Sequence, residues 1–99
     1  MLLLGTGPLK NPSETLTLTF DFTAQGATLS PVVTASSALG VTDPSPSAIL
    51  SGSPSMSGNI LSQKVTGGVS GTTYELLASA ADVSGNVYVQ QLYLPVISL

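Results

Sequence analysis

Apolar and polar residues alternate strictly over residues 14–23, which read ETLTLTFDFT. One side of this segment carries Leu16, Leu18, Phe20 and Phe22, and the other side carries threonine and aspartate. A period of two, filled with threonine and aromatic residues, is typical of a half-buried β-strand. The sequence therefore predicts a strand here.

A second strand is predicted over residues 28–36, where Leu29, Pro31, Val33 and Ala35 share one side. Proline has no N–H to donate to a ladder of hydrogen bonds. We therefore expect Pro31 at the start of the strand, at the edge of a sheet or at a bulge.

Residues 37–58 are rich in serine, proline and glycine. Pro44, Pro46 and Pro54 interrupt every window that is long enough to hold a helix. We therefore expect a connection that contains one or two short strands and crosses between two sheets. The alternation that returns over residues 59–65 predicts a further strand.

The last third of the chain has the pattern of a hairpin. Tyr74, Leu76, Ala78 and Ala80 alternate along one face, and a turn is expected at residues 83–86, where glycine and asparagine accept a positive φ.

The predicted return strand, residues 87–94, carries apolar side chains on both faces. Such a strand is either covered on both sides or meets a partner. Pro95 is expected to end it.

Six or seven short strands separated by glycine, proline and serine turns, with no helical period, favour an all-β sandwich. Tyr74 lies at the start of the penultimate strand, just after Gly71, which is the position of the tyrosine corner in immunoglobulin-like domains. The alternative is a core aromatic residue whose hydroxyl reaches water. The prediction is a single immunoglobulin-like β-sandwich of about seven antiparallel strands with an extended N-terminal tail.

Composition narrows the possible functions. The 99 residues suffice for one domain. They include neither cysteine, histidine nor arginine, and Lys10 and Lys64 are the two basic residues, so nucleic-acid binding is not expected. Charged residues make up 7% of the chain, against roughly 25% in an ordinary soluble domain. Either much of the surface contacts other subunits, or serine and threonine hydrate it.

The sequence contains no motif that predicts catalysis. The five acidic residues belong to no catalytic motif, and no base is present to activate a serine. The segment DVSGN at residues 82–86 faintly resembles part of a calcium loop, but a hairpin turn explains it better. We expect no enzymatic activity, no cofactor and no metal.

The N-terminal residues 1–12 have four leucines but no period. Their apolar run is too short for an export signal or a membrane span. The segment is predicted to be an extended arm that lies across a neighbouring subunit, or else a frayed terminus, with the sandwich domain at residues 13–99. The expected partner contacts are Leu2, Leu3, Leu4, Leu9, Tyr88 and Leu92.

Four segments together resemble a known family. They are LKNP at residues 9–12, the strand at 14–23, DPSPSAILSG at 43–52, and VTGGVSGTTY at 65–74 followed by the hairpin. The chain resembles small tailed-phage virion proteins with an immunoglobulin-like fold, the fiber-tail adaptor family, over about residues 9–96. The Gly-Gly-x-x-Gly-x-x-Tyr run in the last segment is the most specific feature.

The resemblance implies a non-enzymatic structural protein at the neck or tail of a bacteriophage, which joins fibers, spikes or head-proximal parts to the tail. It implies other virion proteins as partners, a homo-oligomeric ring or symmetric array, and a place in the virion after assembly in the bacterial cytoplasm. Two alternatives remain open, namely a capsid decoration or cement protein and a module that binds host glycans. Of the five aromatic residues only Tyr88 and Tyr93 are left for stacking on a sugar, which makes the last alternative the weaker one.

Overall fold

The computed structural model describes residues 4–6 and 9–98. Seven strands and two short 3-10 helices occur in this part of the chain. The strands are β1 (Leu4–Thr6), β2 (Thr15–Asp21), β3 (Leu29–Gly40), β4 (Leu50–Ser57), β5 (Ile60–Thr66), β6 (Thr72–Ala81) and β7 (Val87–Val96). The 3-10 helices are Thr23–Gln25 and Pro46–Ile49. The prediction of an all-β chain is confirmed.

The strands form two sheets, ordered β1-β7-β6-β3 and β2-β5-β4. Each connection from β2 to β3, from β3 to β4 and from β5 to β6 therefore passes from one sheet to the other. Five strand pairs are described, and the four that do not involve β1 are antiparallel. The pair of β1 with β7 is parallel, and β1 lies in the segment that was predicted to be the N-terminal arm.

The apolar faces of both sheets contribute to one buried cluster. Alternation places these side chains inward because successive residues of a strand point to opposite faces. The members larger than alanine are Leu18, Phe20, Phe22, Val33, Ile49, Leu61, Val65, Tyr74, Leu76, Leu94 and Val96.

The second predicted strand differs from expectation at Leu29. Ser30 has a φ of 54°, and the pairing with β6 shifts between Leu29 and Val32. This bulge turns Leu29 to the outer face, where it is 47% exposed, while Val33 stays buried. The prediction that Leu29 and Val33 share a side is therefore wrong, whereas the placement of Pro31 at a bulge of an edge strand is correct.

The last strand does not end at Pro95, as the sequence suggested, but continues to Val96. The Pro95 carbonyl accepts a hydrogen bond from the Lys10 N–H at 2.9 Å, and the Ile97 N–H donates to the Lys10 carbonyl at 2.9 Å. The backbone groups of residues 95 and 97 therefore point toward Lys10 and away from β6. Pro95 is tolerated because its nitrogen, which has no N–H, points away from β6, so no hydrogen bond to β6 is lost.

Two parts of the predicted N-terminal arm lie against β7. Residues 4–6 pair with Gln91, Leu92 and Tyr93. Lys10 forms a parallel bridge with Val96 and is completely buried. This side of the four-stranded sheet is thus built from both ends of the described chain.

Candidate interaction surfaces

Tyr74 holds together three segments that are distant in sequence. Its side chain is completely buried, its hydroxyl accepts a hydrogen bond from the Val69 N–H at 2.8 Å, and it donates to the Asp43 carboxylate at 2.7 Å. Asp43 is fixed in turn by the Ser45 N–H at 2.8 Å. The Ser37 hydroxyl accepts from the Asp43 N–H at 3.1 Å.

These bonds shift the ionisation of both partners. Burial and the hydrogen bond to Asp43 raise the pKa of Tyr74. The donors Tyr74 and Ser45 lower the pKa of Asp43. Tyr74 therefore stays protonated and Asp43 ionised at neutral pH. This is a structural cluster, since neither group is accessible and unpaired as a nucleophile or base must be.

Lys10 closes the N-terminal side of the domain. Its buried ammonium donates to the carbonyl of Gly67 at 2.7 Å and to its neighbour Asn11 at 3.0 Å. Burial lowers the pKa of Lys10, and nearby Glu14 acts in the opposite direction. Sequence reasoning missed this role, because a lysine in a predicted arm is normally expected at the surface.

The residues proposed as partner contacts are spread over several places. Leu2 and Leu3 lie outside the described residues, and Leu4 is described as part of β1. Leu9 is 55% exposed. Tyr88 and Leu92 are half-buried and pack against the core cluster. Their role as contacts stays a prediction.

The hairpin turn between β6 and β7 is organised by Asp82. Its carboxylate accepts from the N–H groups of Ser84 at 2.9 Å and Asn86 at 3.0 Å, and from the Tyr88 hydroxyl at 3.1 Å. Burial alone would raise the pKa of Asp82, but these donors and the Asn86 amide outweigh it and lower the pKa. The carboxylate oxygens are thus engaged by the turn itself, as the turn interpretation of DVSGN requires. Across residues 4–6 and 9–98, no group of three or more His, Cys, Asp or Glu residues could hold a metal ion.

A surface that the sequence indicated only through β7 lies on the outside of the four-stranded sheet. Five large apolar side chains there are between 38% and 66% exposed, and we call them the outer apolar face. They are Leu29, Val32, Leu77, Val87 and Val89.

The register of the strands explains why these side chains come together. Ser79 of β6 pairs with Val32 on one side and with Val89 on the other. In the row nearest the hairpin turn, Ala81 occupies the same central position. Small residues in the middle strand thus leave the branched side chains on both neighbours accessible. The first acidic side chain on this face, Glu75, lies beyond Leu77 and accepts from the Gln91 amide.

The outside of the three-stranded sheet is chemically different. A depression of about 330 Å³ lies there, and its lining consists of hydroxyl side chains and one ammonium group. The lining residues are Thr17, Ser51, Ser53, Ser55, Ser62 and Lys64. The two outer faces are therefore an apolar one and a hydroxyl-rich one, and neither carries a catalytic constellation.

Among the described residues no helix has the length and apolar character needed to cross a membrane.

Comparison with known protein families identifies a relationship. The family model described as "Podophage GP4 fiber-tail adaptor protein gp77" matches residues 10–95. This region begins at the buried Lys10 and ends next to its bridge partner Val96. No curated protein and no solved structure matches the chain.

Proposed function

Because the chain belongs to the podophage GP4 fiber-tail adaptor family, we propose that it is a non-enzymatic structural protein that joins fibers or spikes to the phage tail through subunit contacts. The observation that carries this proposal is the family match over residues 10–95. In this proposal the protein acts in the virion, after assembly in the bacterial cytoplasm.

The proposed domain is an immunoglobulin-like sandwich at residues 13–99, preceded by an arm at residues 1–12. Two features support it. The sheet order β2-β5-β4 facing β7-β6-β3 corresponds to the second, fifth and fourth strands against the seventh, sixth and third, as in immunoglobulin-like domains. The hydroxyl of Tyr74, two residues into β6, bonds to the backbone five residues upstream, as a tyrosine corner does.

We further propose that copies of the protein form a ring around the tail. The outer apolar face supports this proposal, because groups of neighbouring exposed apolar side chains mark sites of protein–protein interaction. The low charge of the chain agrees with this, since subunit interfaces contain fewer charged residues than free surfaces. Leu9, Tyr88 and Leu92 remain proposed additional contacts.

The copy number per purified virion tests the position in the particle. Quantitative mass spectrometry, referenced to the portal and major capsid proteins, should give a count on the order of ten, as closed ring symmetry requires. A count comparable to that of the capsid protein would instead identify a capsid decoration protein. Absence from the particle would refute a structural role.

A pair of variants tests the outer apolar face. Val89→Glu places a charge in the middle of the face, whereas Val83→Glu places the same charge at the tip of the hairpin, where the side chain is 86% exposed. We expect Val89→Glu to reduce incorporation into particles by at least about tenfold, because a carboxylate would be desolvated in the contact. Val83→Glu should be incorporated normally. Equal incorporation of both variants would show that the face is not an interface.

A further inference from the structure

The edge of the three-stranded sheet at β2 differs from the sheet edges at β3 and β4. β2 pairs with β5 over seven consecutive positions without a register shift and contains no proline. β3 and β4, the edges on the far side, each have a register shift, and each contains a proline, Pro31 and Pro54. Bulges and prolines are the usual protection of an edge against another strand, so β2 lacks the protection that β3 and β4 have.

The backbone groups that β2 directs outward can be identified from one hydrogen bond. The Phe22 N–H donates to the Asn59 carbonyl at 2.9 Å, and this bond continues the ladder with β5. Hydrogen-bonded and non-hydrogen-bonded residues alternate in an antiparallel pair. The even-numbered residues of β2 therefore bond to β5, as Phe22 does. The N–H and C=O groups of the odd-numbered residues point away from β5; these residues are Thr15, Thr17 and Thr19.

The end of this edge already binds a side chain from the other sheet. Gln90 of β7 donates from its amide to the Asp21 carbonyl at 2.6 Å. This contact shows that the edge can take a donor from outside its own sheet. Within residues 4–6 and 9–98, no strand pairs with β2 on this side, and residues 15–19 carry exposed threonine side chains at the odd positions.

Acidic side chains stand at both ends of the edge. Glu14 precedes β2 and Asp21 ends it, and both are exposed. At roughly 3.4 Å per residue the two positions are about 24 Å apart. A strand that aligns with this edge brings its own ends close to residues 14 and 21. The carboxylates of these residues also accept hydrogen bonds from the Asn11 N–H at 2.7 Å and the Thr23 N–H at 2.8 Å.

We propose that the β2 edge accepts an extended segment of a different polypeptide, about seven residues long, with Lys or Arg at the ends that meet Glu14 and Asp21. Main-chain hydrogen bonds to residues 15–19 bind the segment, as in other cases of strand addition. The basic ends set its position along the edge.

Composition argues against a second copy as the occupant. The chain contains no arginine and two lysines. Lys10 is buried, and Lys64 lies on β5, paired with Thr17 of the edge strand. A copy of this chain therefore has no extended segment with basic residues at both ends. The inference goes beyond the proposed function, and its test needs no virion, so either can fail without the other.

Titration of the full-length, isotope-labelled protein with a synthetic peptide tests the proposal. The probe is acetyl-Lys-Thr-Val-Thr-Val-Thr-Lys-amide, and the readout is the amide NMR spectrum with hydrogen exchange. We expect shifts concentrated at residues 14–21 and slowed exchange of the Thr15, Thr17 and Thr19 amides. Shifts concentrated on β3 or β4, or no binding at millimolar peptide, would overturn the proposal.

Two control peptides separate the main-chain bonds from the charges. N-methylation of alternate amides, in either of the two phases, removes the donors on one edge of the peptide, and one of the two phases should not bind. Replacement of both lysines by glutamate should weaken binding strongly, because like charges then face Glu14 and Asp21. If both methylated peptides bind as well as the parent, or if the glutamate peptide does, the proposed geometry is wrong.

Variants of the protein complete the test. Thr17→Pro removes one outward N–H and should abolish binding, whereas Thr17→Val keeps the N–H and should bind normally. Glu14→Gln together with Asp21→Asn should reduce affinity roughly two- to thirtyfold and remove most of its salt dependence. Circular dichroism checks that each variant folds, and the methylated peptides test the same bonds without any change in the protein. If the free protein self-associates and Thr17→Pro abolishes this, the occupant is a second copy and the proposal fails.

Discussion

Tyr74→Phe removes the hydroxyl oxygen of a fully buried core side chain and keeps the ring. The Val69 N–H, which donates to this oxygen at 2.8 Å, loses its acceptor. The Asp43 carboxylate, 2.7 Å away, loses a donor. A hydrogen bond contributes about 1 kcal/mol net, and one to a charged group somewhat more. We expect the free energy of unfolding to fall by about 2 kcal/mol.

For a domain of this size such a loss lowers the Tm by roughly 8–16 °C. Thermal unfolding followed by circular dichroism measures it. Tyr93→Phe is the matched control, because the Tyr93 hydroxyl is 3.4 Å from both the Gln91 amide and the Glu75 carboxylate and its side chain is half-buried. This control should lose less than about 0.5 kcal/mol. If Tyr74→Phe were no less stable than Tyr93→Phe, the bonds of the Tyr74 hydroxyl would not stabilise the domain.

Three further predictions concern other sites. The hydrogen bond from Tyr74 lowers the pKa of Asp43 below its ordinary value of 3.8 in the folded state. The stabilisation that ionised Asp43 provides is therefore complete above pH 3.8 and is lost as the pH falls through the folded pKa. On acidification below about pH 4, the Tm of Asp43→Asn should fall less than the Tm of the unsubstituted protein. Gly40→Ala would bring its Cβ to 2.1 Å from the Gly71 carbonyl oxygen at a φ of +79°, and should cost more than about 2 kcal/mol in urea unfolding, whereas Gly26→Ala, with open space around it, should cost about 1 kcal/mol. Gln63 is buried; its amide N–H groups donate to the backbone of β4 and β5, and its Oε1 has no partner among the described residues. Gln63→Glu should therefore lower the free energy of unfolding by at least about 3 kcal/mol, and Gln63→Met should lower it clearly less. Chemical denaturation measures both.

The strands were predictable where alternation is regular. Residues 14–23 contain β2, and residues 59–65 include all of β5 except its last residue, Thr66. Leu18 and Phe20, on the predicted apolar side of the first segment, are buried. In these segments local pattern and burial agree because one face of each strand meets the core and the other meets solvent.

The predictions from the sequence were wrong where backbone geometry interrupts the alternation of inward and outward side chains. Pro31 made a bulge one of three expected placements, but the outward turn of Leu29 depends on the left-handed φ of Ser30, which the alternation of residues does not predict. Pro95 is a usual strand breaker, and its tolerance follows from the side on which Lys10 pairs with β7. Both outcomes are set by long-range pairing, which periodicity does not contain.

The interaction surfaces were predictable only in outline. Apolar residues on both faces of β7 indicated a contact, and Val87 and Val89 now lie on the outer apolar face. The contributions of Leu29 and Val32 depend on the bulge of β3, so they could not be derived from the sequence. The open edge of β2 likewise follows from the sheet order, which determines that β5 is its partner and that no described strand lies beyond it.

The parallel pairing of β1 with β7 determines how the domain responds to mechanical load. Tension applied to the chain before β1 and after β7 pulls two parallel neighbours along their length in opposite directions. The β1–β7 bonds and the Lys10–Val96 bridge then bear the load together in shear, whereas an antiparallel pair pulled at adjacent ends would open one bond at a time. The domain thus resists pulling along the direction in which its chain enters β1 and leaves β7.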